Sequence, residues 1–380
     1  MRGHILKRGA TWSYVHDLPR GPDGKRRQHW RSGFKSKKAA QRALSDALAK
    51  LEEGTFVEPS RVTIAEYLSH WLLSIEMELR PRTLASYRMN VEAHIVPRLG
   101  HFRLQALSPM HIKSFYGELL ADGRRDGSGG LSPRTVQYIG TILGRALRDA
   151  ESLRLIQRNP AAAARKPRPS SRKASINTWT ADELRQFLES ITGERIYPVL
   201  HLAATTGLRR GELLGLTWRN VDFDVGRLRV VQSLVAIGGE FQLLPPKRES
   251  SVRSIAIDGN TVEVLRKWRK RQREERLAWG PAYQDQDLVF AREDGSPINP
   301  DWLTRKFAAL ARGGDVPTIR LHDLRHTHAT LALQANVHPK VVAERLGHSS
   351  VMITLDTYSH AIPSLQEEAA EKVAGIVFGA

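Results

Sequence analysis

Apolar residues recur at the spacing of amphipathic helices through much of the first half of the chain. The stretch "SKKAAQRALSDALAKLEEG" predicts one helix that begins after Ser36 and ends at Gly54. A second helix is predicted in "TIAEYLSHWLLSIEMEL", where Thr63 and Glu66 have the spacing of a capping box. Three more follow in "RPRTLASYRMNVEAHIV", "SPMHIKSFYGELLADG" and "SPRTVQYIGTILGRALRDAESL", of which the last two begin with Ser-Pro. The pattern therefore predicts a helical region.

Patterns typical of short strands occur in two other places. The segment "WSYVHDLPRGPDGKRRQHWRSGF" near the start predicts two strands around a Pro/Gly/Asp turn. Beyond Trp218, "VDFDVGRLRVVQ", "EFQLLPPK" and "SVRSIAID" alternate like antiparallel strands, and the chain after them is mostly helical. Before them, "TADELRQFLESI" has Thr180 and Glu183 at capping-box spacing and a single apolar stripe, which predicts a helix.

The predicted fold class is multidomain, because 380 residues exceed the size at which one core usually keeps growing. The segment "NPAAAARKPRPSSRKAS" at 159–175 has three prolines and five basic residues without an acidic one, which predicts an extended cationic linker. We expect a small β-sheet-plus-helix N-terminal domain at 1–60 and an all-α domain at 61–164. A mixed α+β domain, mainly helical with a small antiparallel sheet, is expected at 165–380.

The charge of the chain indicates a polyanionic partner. Lys and Arg number 58 against 40 Asp and Glu, which gives a net charge of +18 and a pI near 10.4. Nucleic acid is favoured over a membrane surface, because the sequence has no apolar run of about 18 residues and no signal-peptide core after "MRGHILKRGATWS". The absence of cysteine excludes disulfides, thiolate zinc sites and cysteine nucleophiles. We therefore expect a cytoplasmic protein that does not bind membranes.

The segment "LDTYSH" places Tyr358 among polar residues, without an apolar face at period two or 3.6. Most tyrosines fill a core, but this local pattern does not predict that role. The phenol has an unperturbed pKa of about 10, so it is a nucleophile at neutral pH only where other groups take its proton or stabilise the developing charge.

Several motifs of the last domain could supply that help. "TTGLRRGELLGLTW" presents Arg209 and Arg210, followed by Glu212, whose carboxylate could hold a guanidinium in place. "LLPPKRESSVRSIAI" places a lysine in a predicted turn between two strands. "LHDLRHTHATLAL" and "LGHSS" contribute histidines and a further arginine. The candidate residues are Arg209, Lys247, His322, Arg325, His348 and Tyr358.

This set of residue types suits phosphoryl transfer without a metal. Guanidinium groups match phosphate oxygens in geometry and stay charged at any working pH, so they can stabilise a pentacoordinate phosphorane. Histidines can relay protons, and a lysine can act as a general acid toward a departing sugar oxygen.

The order and spacing of "TGLRRGELLGL", a lysine with "SVR" after it, "HDLRHTHAT", "LGHSS" and "TYSH" resemble the catalytic domain of tyrosine recombinases, especially integrases of phages and integrative elements. The motifs cover residues 175–365. The helical segment 62–160 resembles the core-binding domain of that family, and the first 60 residues resemble its arm-binding domain. One departure is Arg248, which follows Lys247 where threonine is common in the family.

The resemblance implies a role for each candidate. Arg209 and Arg325 would grip the scissile phosphate, Lys247 would protonate the leaving 5′ oxygen, and His322 would assist proton transfer. His348 would hydrogen-bond the phosphate, and Tyr358 would attack it to give a 3′-phosphotyrosine and a free 5′-hydroxyl.

The implied activity is site-specific integration and excision of a mobile element without a cofactor, ATP or a metal in the chemical step. The implied partner is double-stranded DNA at core sites and arm sites, on which a homotetramer would assemble when two sites are synapsed. Accessory DNA-bending or excisionase proteins are further expected partners.

Three other interpretations fit parts of the sequence. A type IB topoisomerase would share much of the chemistry, but the basic N-terminal segment disfavours it. A non-catalytic DNA-binding regulator would explain the charge and leave the clustered motifs unexplained. A zinc site could use His322 and His326 at i and i+4, but Asp323 stands where the metalloprotease motif has glutamate.

Overall fold

The computed structural model describes residues 3–19, 23–168, 177–246, 251–358 and 365–379. The chain divides into two compact units, Met1–Arg172 and Lys173–Ala380. Each unit has its own hydrophobic cores. No helix among the described residues is both long enough and apolar enough to cross a membrane.

The first unit begins with a three-stranded antiparallel sheet in chain order, covered by one helix. Its elements are β1 (Gly3–Arg8), β2 (Thr11–Leu18), β3 (Arg27–Phe34) and α1 (Lys37–Glu52). Leu44 and Ala47 of α1 pack against Tyr14 of β2. Ser36 caps α1 as predicted, and the helix ends at Glu52, two residues before the expected stop.

The two strands predicted around the Pro/Gly/Asp turn are present as β2 and β3, and β1 is a third strand that was not predicted. Its sequence "GHILKR" has adjacent apolar residues followed by two basic ones, so it lacks the alternation that identifies a half-buried strand. It pairs with β2 from Gly3 opposite His16 to Arg8 opposite Thr11. The pairing therefore comes from the tight turn to β2 rather than from a strand pattern.

The rest of the first unit is helical. Its helices are α2 (Ile64–Ser74), α3 (Pro81–Asn90), α4 (Val96–Leu99), α5 (Pro109–Asp122), α6 (Pro133–Ser152) and α7 (Pro160–Ala163). Thr63 and Glu66 form the predicted capping box, and Ser108 and Ser132 cap α5 and α6. A π-helical segment, Val91–Ile95, joins α3 to α4 where one helix was expected.

The predicted extended linker at 159–175 is wrong in its first part. Residues Pro160–Ala163 form α7, and Ala161 and Ala164 are buried in the helical core. Asn159 caps this short helix, since its side chain accepts a hydrogen bond from the backbone of Ala161. The later part of the predicted linker lies largely outside the described residues.

The second unit begins with helices α8 (Ala181–Ser190), α9 (Tyr197–Thr206) and α10 (Arg210–Leu214). The capping box of Thr180 and Glu183 is present as predicted. The described part of the chain then forms five strands: β4 (Val221–Asp222), β5 (Arg227–Val230), β6 (Ser233–Ile237), β7 (Glu240–Leu244) and β8 (Arg253–Ala256). They form two antiparallel sheets, β4-β5-β8 and β6-β7, so the described strands that flank Lys247 belong to different sheets.

Six α-helices complete the second unit among the residues that the structure describes. They are α11 (Gly259–Trp279), α12 (Pro300–Gly313), α13 (Asp323–Gln334), α14 (Pro339–Leu346), α15 (Val351–Tyr358) and α16 (Leu365–Phe378). The main core contains Trp179, Phe187 and Phe307 in mutual ring contact. A separate apolar cluster joins α13, α14 and α15, and it holds the candidate nucleophile.

Candidate active site

A left-handed glycine positions Arg209. Helix α9 ends at Gly207, which has φ +63° and donates its N–H to the carbonyl of Ala203 at 3.0 Å. A Cβ at this position would lie 2.6 Å from the side chain of Leu346 and 2.9 Å from that of His328. Glycine is therefore required both by the backbone conformation and by the space, and the sharp turn places Arg209 at the start of α10.

Glu212 holds the guanidinium of Arg209 in place. The Nη1 group of Arg209 donates to Oε1 of Glu212 at 2.9 Å, and its backbone N–H donates to Oε2 at 3.0 Å. Nη2 of Arg209 donates to the carbonyl of Gly347 at 3.0 Å. The Arg209 side chain nevertheless stays 42% exposed, so part of its guanidinium remains open to a ligand.

Arg253 is a second partner of the same carboxylate. Its Nη2 donates to Oε2 of Glu212 at 2.7 Å, and its Nε donates to the carbonyl of Arg345 at 2.7 Å. Gly347 ends α14 with φ +65°, and a Cβ there would lie 2.8 Å from the Arg253 guanidinium. Through these hydrogen bonds, the buried Arg253 side chain links Glu212 to the end of α14.

The pKa of the Glu212 carboxyl stays below its ordinary value. Burial alone would raise this pKa, but the hydrogen bonds and charge of Arg253, together with the charge and backbone N–H of Arg209, outweigh that effect. Glu212 is therefore an ionised, buried carboxylate between two guanidinium groups.

Arg325 is more deeply buried than Arg209, at 4% exposure. Its Nη1 donates to the carbonyl of Gly207 and its Nη2 to the carbonyl of Leu346, both at 2.7 Å. Burial and then the charge of Arg209 lower the pKa of Arg325 to about 9, so the group is still protonated at pH 7. Both arginines are thus anchored on the end of α14.

The two candidate histidines flank these arginines. His322 precedes the first residue of α13, and the loss of water around its ring lowers its pKa, as does the charge of Arg325. His348 follows Gly347, and its Nδ1 contacts Oγ1 of Thr354 at 2.8 Å. Burial and then the charges of Arg325 and Arg209 lower the pKa of His348 to about 4. Both rings are therefore neutral at pH 7.

Tyr358 is the last residue of α15 and only 1% exposed. Its ring packs in the apolar cluster with Leu333, Val342 and Leu346, which the polar "LDTYSH" segment did not predict. The sequence pattern failed here because the apolar partners lie on α13 and α14, not on the helix that carries the tyrosine. Burial raises the pKa of the hydroxyl to about 12, an effect that the charge of Arg325 partly opposes.

The tyrosine hydroxyl contacts a histidine that was not among the candidates. Oη of Tyr358 lies 2.7 Å from Nδ1 of His326, the residue after Arg325. The ring of His326 also meets that of His322 edge to face, with centroids 5.1 Å apart. Burial and the neighbouring His322 lower the pKa of His326 to about 4. Sequence analysis had considered His326 only as a zinc ligand.

The structure brings five of the six candidates to one place, namely Arg209, His322, Arg325, His348 and Tyr358. Lys247 lies outside the described residues. Arg210 does not join them, because its Nη1 donates to Asp301, Thr304 and the carbonyl of Pro300 on the α12 side. Sequence reasoning missed Arg253, whose only signal was its place in the quoted "SVR".

The described residues contain no group of three or more His, Cys, Asp or Glu side chains that could hold a metal ion. The Nδ1 atom of His326 already contacts Tyr358, and Asp323 accepts two hydrogen bonds from the Arg320 guanidinium. The site contains two anchored guanidiniums and neutral imidazoles beside a phenol. The guanidiniums and imidazoles can donate hydrogen bonds to a phosphodiester.

The sequence matches three models of known protein families. Residues 177–364 match the "Phage integrase family", residues 4–51 an "Arm DNA-binding domain" and residues 63–120 the "Phage integrase, N-terminal SAM-like domain". The chain belongs to the phage integrase family. The family, fold class and enzyme class expected from the sequence are thereby confirmed.

A relative and two solved structures illustrate the similarity of this integrase to known proteins. It is 27% identical over 355 residues to a protein named tyrosine recombinase XerC-like from Caldanaerobacter subterraneus subsp. tengcongensis, with 89% of each chain covered. Its fold is similar to that of the Tn1549 transposon integrase in complex with a circular intermediate DNA, with TM-score 0.65, 19% identity, and coverage of 82% of this chain and 99% of that one. A lambda integrase tetramer bound to a Holliday junction gives TM-score 0.55 and 20% identity, with 91% and 95% covered.

This integrase is therefore a tyrosine recombinase of mobile elements, an enzyme that cleaves and rejoins DNA strands. The topoisomerase and the non-catalytic regulator are disfavoured accordingly. The catalytic roles of the six candidate residues and the domain boundaries at residues 60 and 164 stay predictions.

Proposed function

We propose that Tyr358 attacks a scissile phosphodiester held by Arg209 and Arg325, forming a 3′-phosphotyrosine and releasing a 5′-hydroxyl. The observation that carries this proposal is the shared anchoring of the two arginines. Arg209 donates to the carbonyl of Gly347 and Arg325 to that of Leu346, so both guanidiniums lie beside the segment that leads to His348 and α15. A phosphate bound there would meet two positive charges close to the tyrosine.

Arg325 keeps donors available for that phosphate. A guanidinium has five N–H groups, and the two hydrogen bonds to carbonyls use one on each terminal nitrogen. The other three, including the one on Nε, can point to phosphate oxygens. Anchoring by carbonyls fixes the guanidinium before substrate arrives, so little reorganisation is needed when negative charge develops in the transition state.

His348 is suited to donate a hydrogen bond to the same phosphate. Because the ring is neutral, one nitrogen carries a proton and the other accepts. If the Thr354 hydroxyl donates to Nδ1, the tautomer with a proton on Nε2 is fixed, and Nε2 is then the donor. His322 would assist proton transfer at the site, and Lys247 would protonate the leaving 5′ oxygen.

The proposed partner is double-stranded DNA, bound at core sites by the domains at 61–164 and 165–380 and at arm sites by the domain at 1–60. Cationic side chains lie over two aromatic rings of the N-terminal sheet, with the Arg8 guanidinium 4.9 Å from the ring of the exposed Trp30 and Lys7 6.0 Å from that of the partly buried Trp12. Such a surface supports contact with a polyanion. The protein would act in the bacterial cytoplasm, together with DNA-bending or excisionase proteins.

A homotetramer on synapsed DNA is the proposed assembly. The end of α16 exposes four large apolar side chains, Val373, Ile376, Val377 and Phe378. Such a surface is expected to pack against another protein, and a neighbouring protomer is the proposed one. We expect deletion of residues 367–380 to weaken tetramer assembly on paired sites, measured by light scattering. Unchanged assembly would contradict the proposal.

The identity of the nucleophile can be tested by peptide mapping. A nicked DNA substrate that loses a short strand on cleavage traps the covalent complex, which is then digested with trypsin. The fragment that follows Arg345 and ends at Lys372 contains Tyr358 as its one tyrosine. We expect mass spectrometry to find the nucleotide on this fragment, attached through a 3′-phosphate. A nucleotide on another fragment, or one attached through its 5′-phosphate, would refute the assignment.

A further inference from the structure

The contact between His326 and Tyr358 has no role in the mechanism described so far. Nδ1 of His326 lies 2.7 Å from the phenolic oxygen, which is a short distance for a hydrogen bond between an imidazole and a hydroxyl. His326 is on α13, directly after Arg325, whereas Tyr358 ends α15. The hydrogen bond therefore joins the element that carries a phosphate-binding arginine to the element that carries the nucleophile.

The surroundings of the hydroxyl leave few groups that could take its proton. Tyr358 is 1% exposed, so bulk water does not reach the phenol in this conformation. Among the described residues, His326 is the hydrogen-bond partner found for this oxygen. The neutral form of the imidazole is the form that can accept a proton, and it is the form present at pH 7 because the pKa of His326 is about 4.

We propose that His326 is the proton acceptor of the reaction, taking the proton of the Tyr358 hydroxyl through Nδ1 as the phenolic oxygen attacks phosphorus. This inference rests on the proposed function, because it assumes that Tyr358 is the nucleophile. The hydrogen bond places the acceptor directly beside the nucleophile.

The Tyr358 oxygen forms a bond to phosphorus while its O–H bond breaks, and the proton goes to Nδ1 of His326 to give an imidazolium. The bond from phosphorus to the 5′ oxygen breaks with its electron pair, and the leaving oxygen takes a proton from the general acid, for which Lys247 is proposed. In the rejoining step a 5′-hydroxyl attacks phosphorus, and the imidazolium returns its proton to the departing phenolate.

The charged and titratable groups around His326 do not compete with Tyr358 as its hydrogen-bond partner. On its own element these groups are His322, Asp323 and Arg325, with Arg320 just before α13. The Asp323 carboxylate is engaged by Arg320, which donates to both of its oxygens at 2.8 and 3.0 Å. From the other elements, His348 and Tyr358 face this site. A cation formed on His326 is therefore transient, since its neighbours are mostly positive or neutral.

Substitution of His326 by asparagine separates proton acceptance from packing. An asparagine amide oxygen occupies about the position of Nδ1 and can still accept the Tyr358 hydrogen bond, but it cannot be protonated. We expect His326→Asn to bind DNA normally and to slow single-turnover cleavage by on the order of a hundredfold to a thousandfold at pH 7. The matched control is His338→Asn, because His338 is an exposed N-cap of α14 and asparagine caps equally well.

The dependence on pH is the readout that a structural role would not change. Without an acceptor, cleavage must use the phenolate, whose population rises tenfold per pH unit below the phenol pKa of about 12. The ratio of the His326→Asn rate to the wild-type rate should therefore rise about tenfold per unit between about pH 6 and pH 8.5. A ratio that is low and constant over this range would refute proton acceptance by His326, and so would a variant that cleaves as fast as or faster than wild type.

A second substrate separates this role from that of the general acid. When the leaving 5′ oxygen is replaced by sulfur, the departing thiolate needs no proton, so variants of the general acid recover activity. We expect His326→Asn to stay slow on this substrate, and recovery would refute the proposal.

Tyr358→Phe is assayed in parallel. If it still forms an adduct, the proposed nucleophile is wrong; if it is inactive while His326→Asn is normal, only the inference about His326 fails.

Discussion

The helical core of the first unit and the catalytic region of the second unit are stabilised by different interactions. Around α6 the first unit buries aliphatic side chains such as Ile139, Leu143 and Leu147, and few of its buried side chains there are polar. The catalytic region instead buries charges, including Glu212, Arg325 and Asp323. The first arrangement depends on shape and apolar area, whereas the second depends on each charge having its partner.

This difference has a consequence for mutation. Loss of an apolar side chain leaves a cavity whose cost depends on how far the surroundings relax, and it need not affect chemistry elsewhere. Loss of one buried charge leaves another charge without compensation. In the catalytic region the same hydrogen bonds that stabilise the fold also orient the guanidiniums, so stability and catalysis should fall together there.

The largest effect on stability is expected for Glu212→Ala. It leaves the guanidinium of Arg253, with a side chain only 8% exposed, without its carboxylate, and breaking a buried pair in this way costs about 3–5 kcal/mol. Hydrogen exchange of the α9 and α14 peptides would measure the loss locally, without assuming that the whole chain unfolds in one step. The double variant Glu212→Ala/Arg253→Met should recover much of the loss, and equal instability of the single and double variants would contradict this account.

Next in size is the effect of Arg325→Ala on cleavage. The substitution removes a positive charge from the proposed phosphate site, a contribution worth about 3 kcal/mol in the transition state, so cleavage should slow by on the order of a hundredfold or more. Single-turnover cleavage of a nicked substrate measures it. Leu143→Ala in the helical core is the contrasting variant, since it should lose about 2–5 kcal/mol of stability and leave the rate of the folded enzyme unchanged. If Leu143→Ala slowed cleavage by the folded enzyme to a comparable extent, the two regions would not differ in how mutation affects catalysis.

The smallest effect on stability is expected at the helix N-caps, which are alike in the two units. Thr63 and Thr180 each begin a helix with a complete capping box, one in each unit. Replacement of either threonine by alanine should therefore destabilise its own helix by about 1 kcal/mol, measured as faster hydrogen exchange in α2 or α8. A clearly unequal cost would show that the contrast between the units extends to these local signals.

In both units the sequence predicted some elements and missed others. Helix starts were predicted correctly at Ser36, Thr63 and Thr180, because a cap and its partner lie within three residues of each other. Strands β1 and β6 were missed, since short strands in small sheets need not alternate. The π-helical segment Val91–Ile95, which interrupts the expected helix, was also not predicted, because it does not visibly change the spacing of apolar residues.

The candidate catalytic residues were chosen from their motifs, which did not predict most of the contacts among them. Glu212 and Arg253 are 41 positions apart and His326 and Tyr358 are 32 apart, so no local spacing links them. The sequence predicted that Glu212 could hold a guanidinium, and the one it holds within its own motif is that of Arg209, three positions away. Burial of the Tyr358 ring could not be predicted from its own segment, since the apolar side chains around it come from α13 and α14.

The central claim is that Tyr358 is the nucleophile of a site in which anchored arginines stabilise the transition state. The most direct measurement is covalent adduct formation on a nicked substrate, with wild type and Tyr358→Phe compared in EDTA. Wild type should form the adduct, and Tyr358→Phe, which loses one oxygen and keeps the buried ring, should bind the DNA but form none. An adduct with Tyr358→Phe, or failure of wild type in EDTA alone, would contradict the claim.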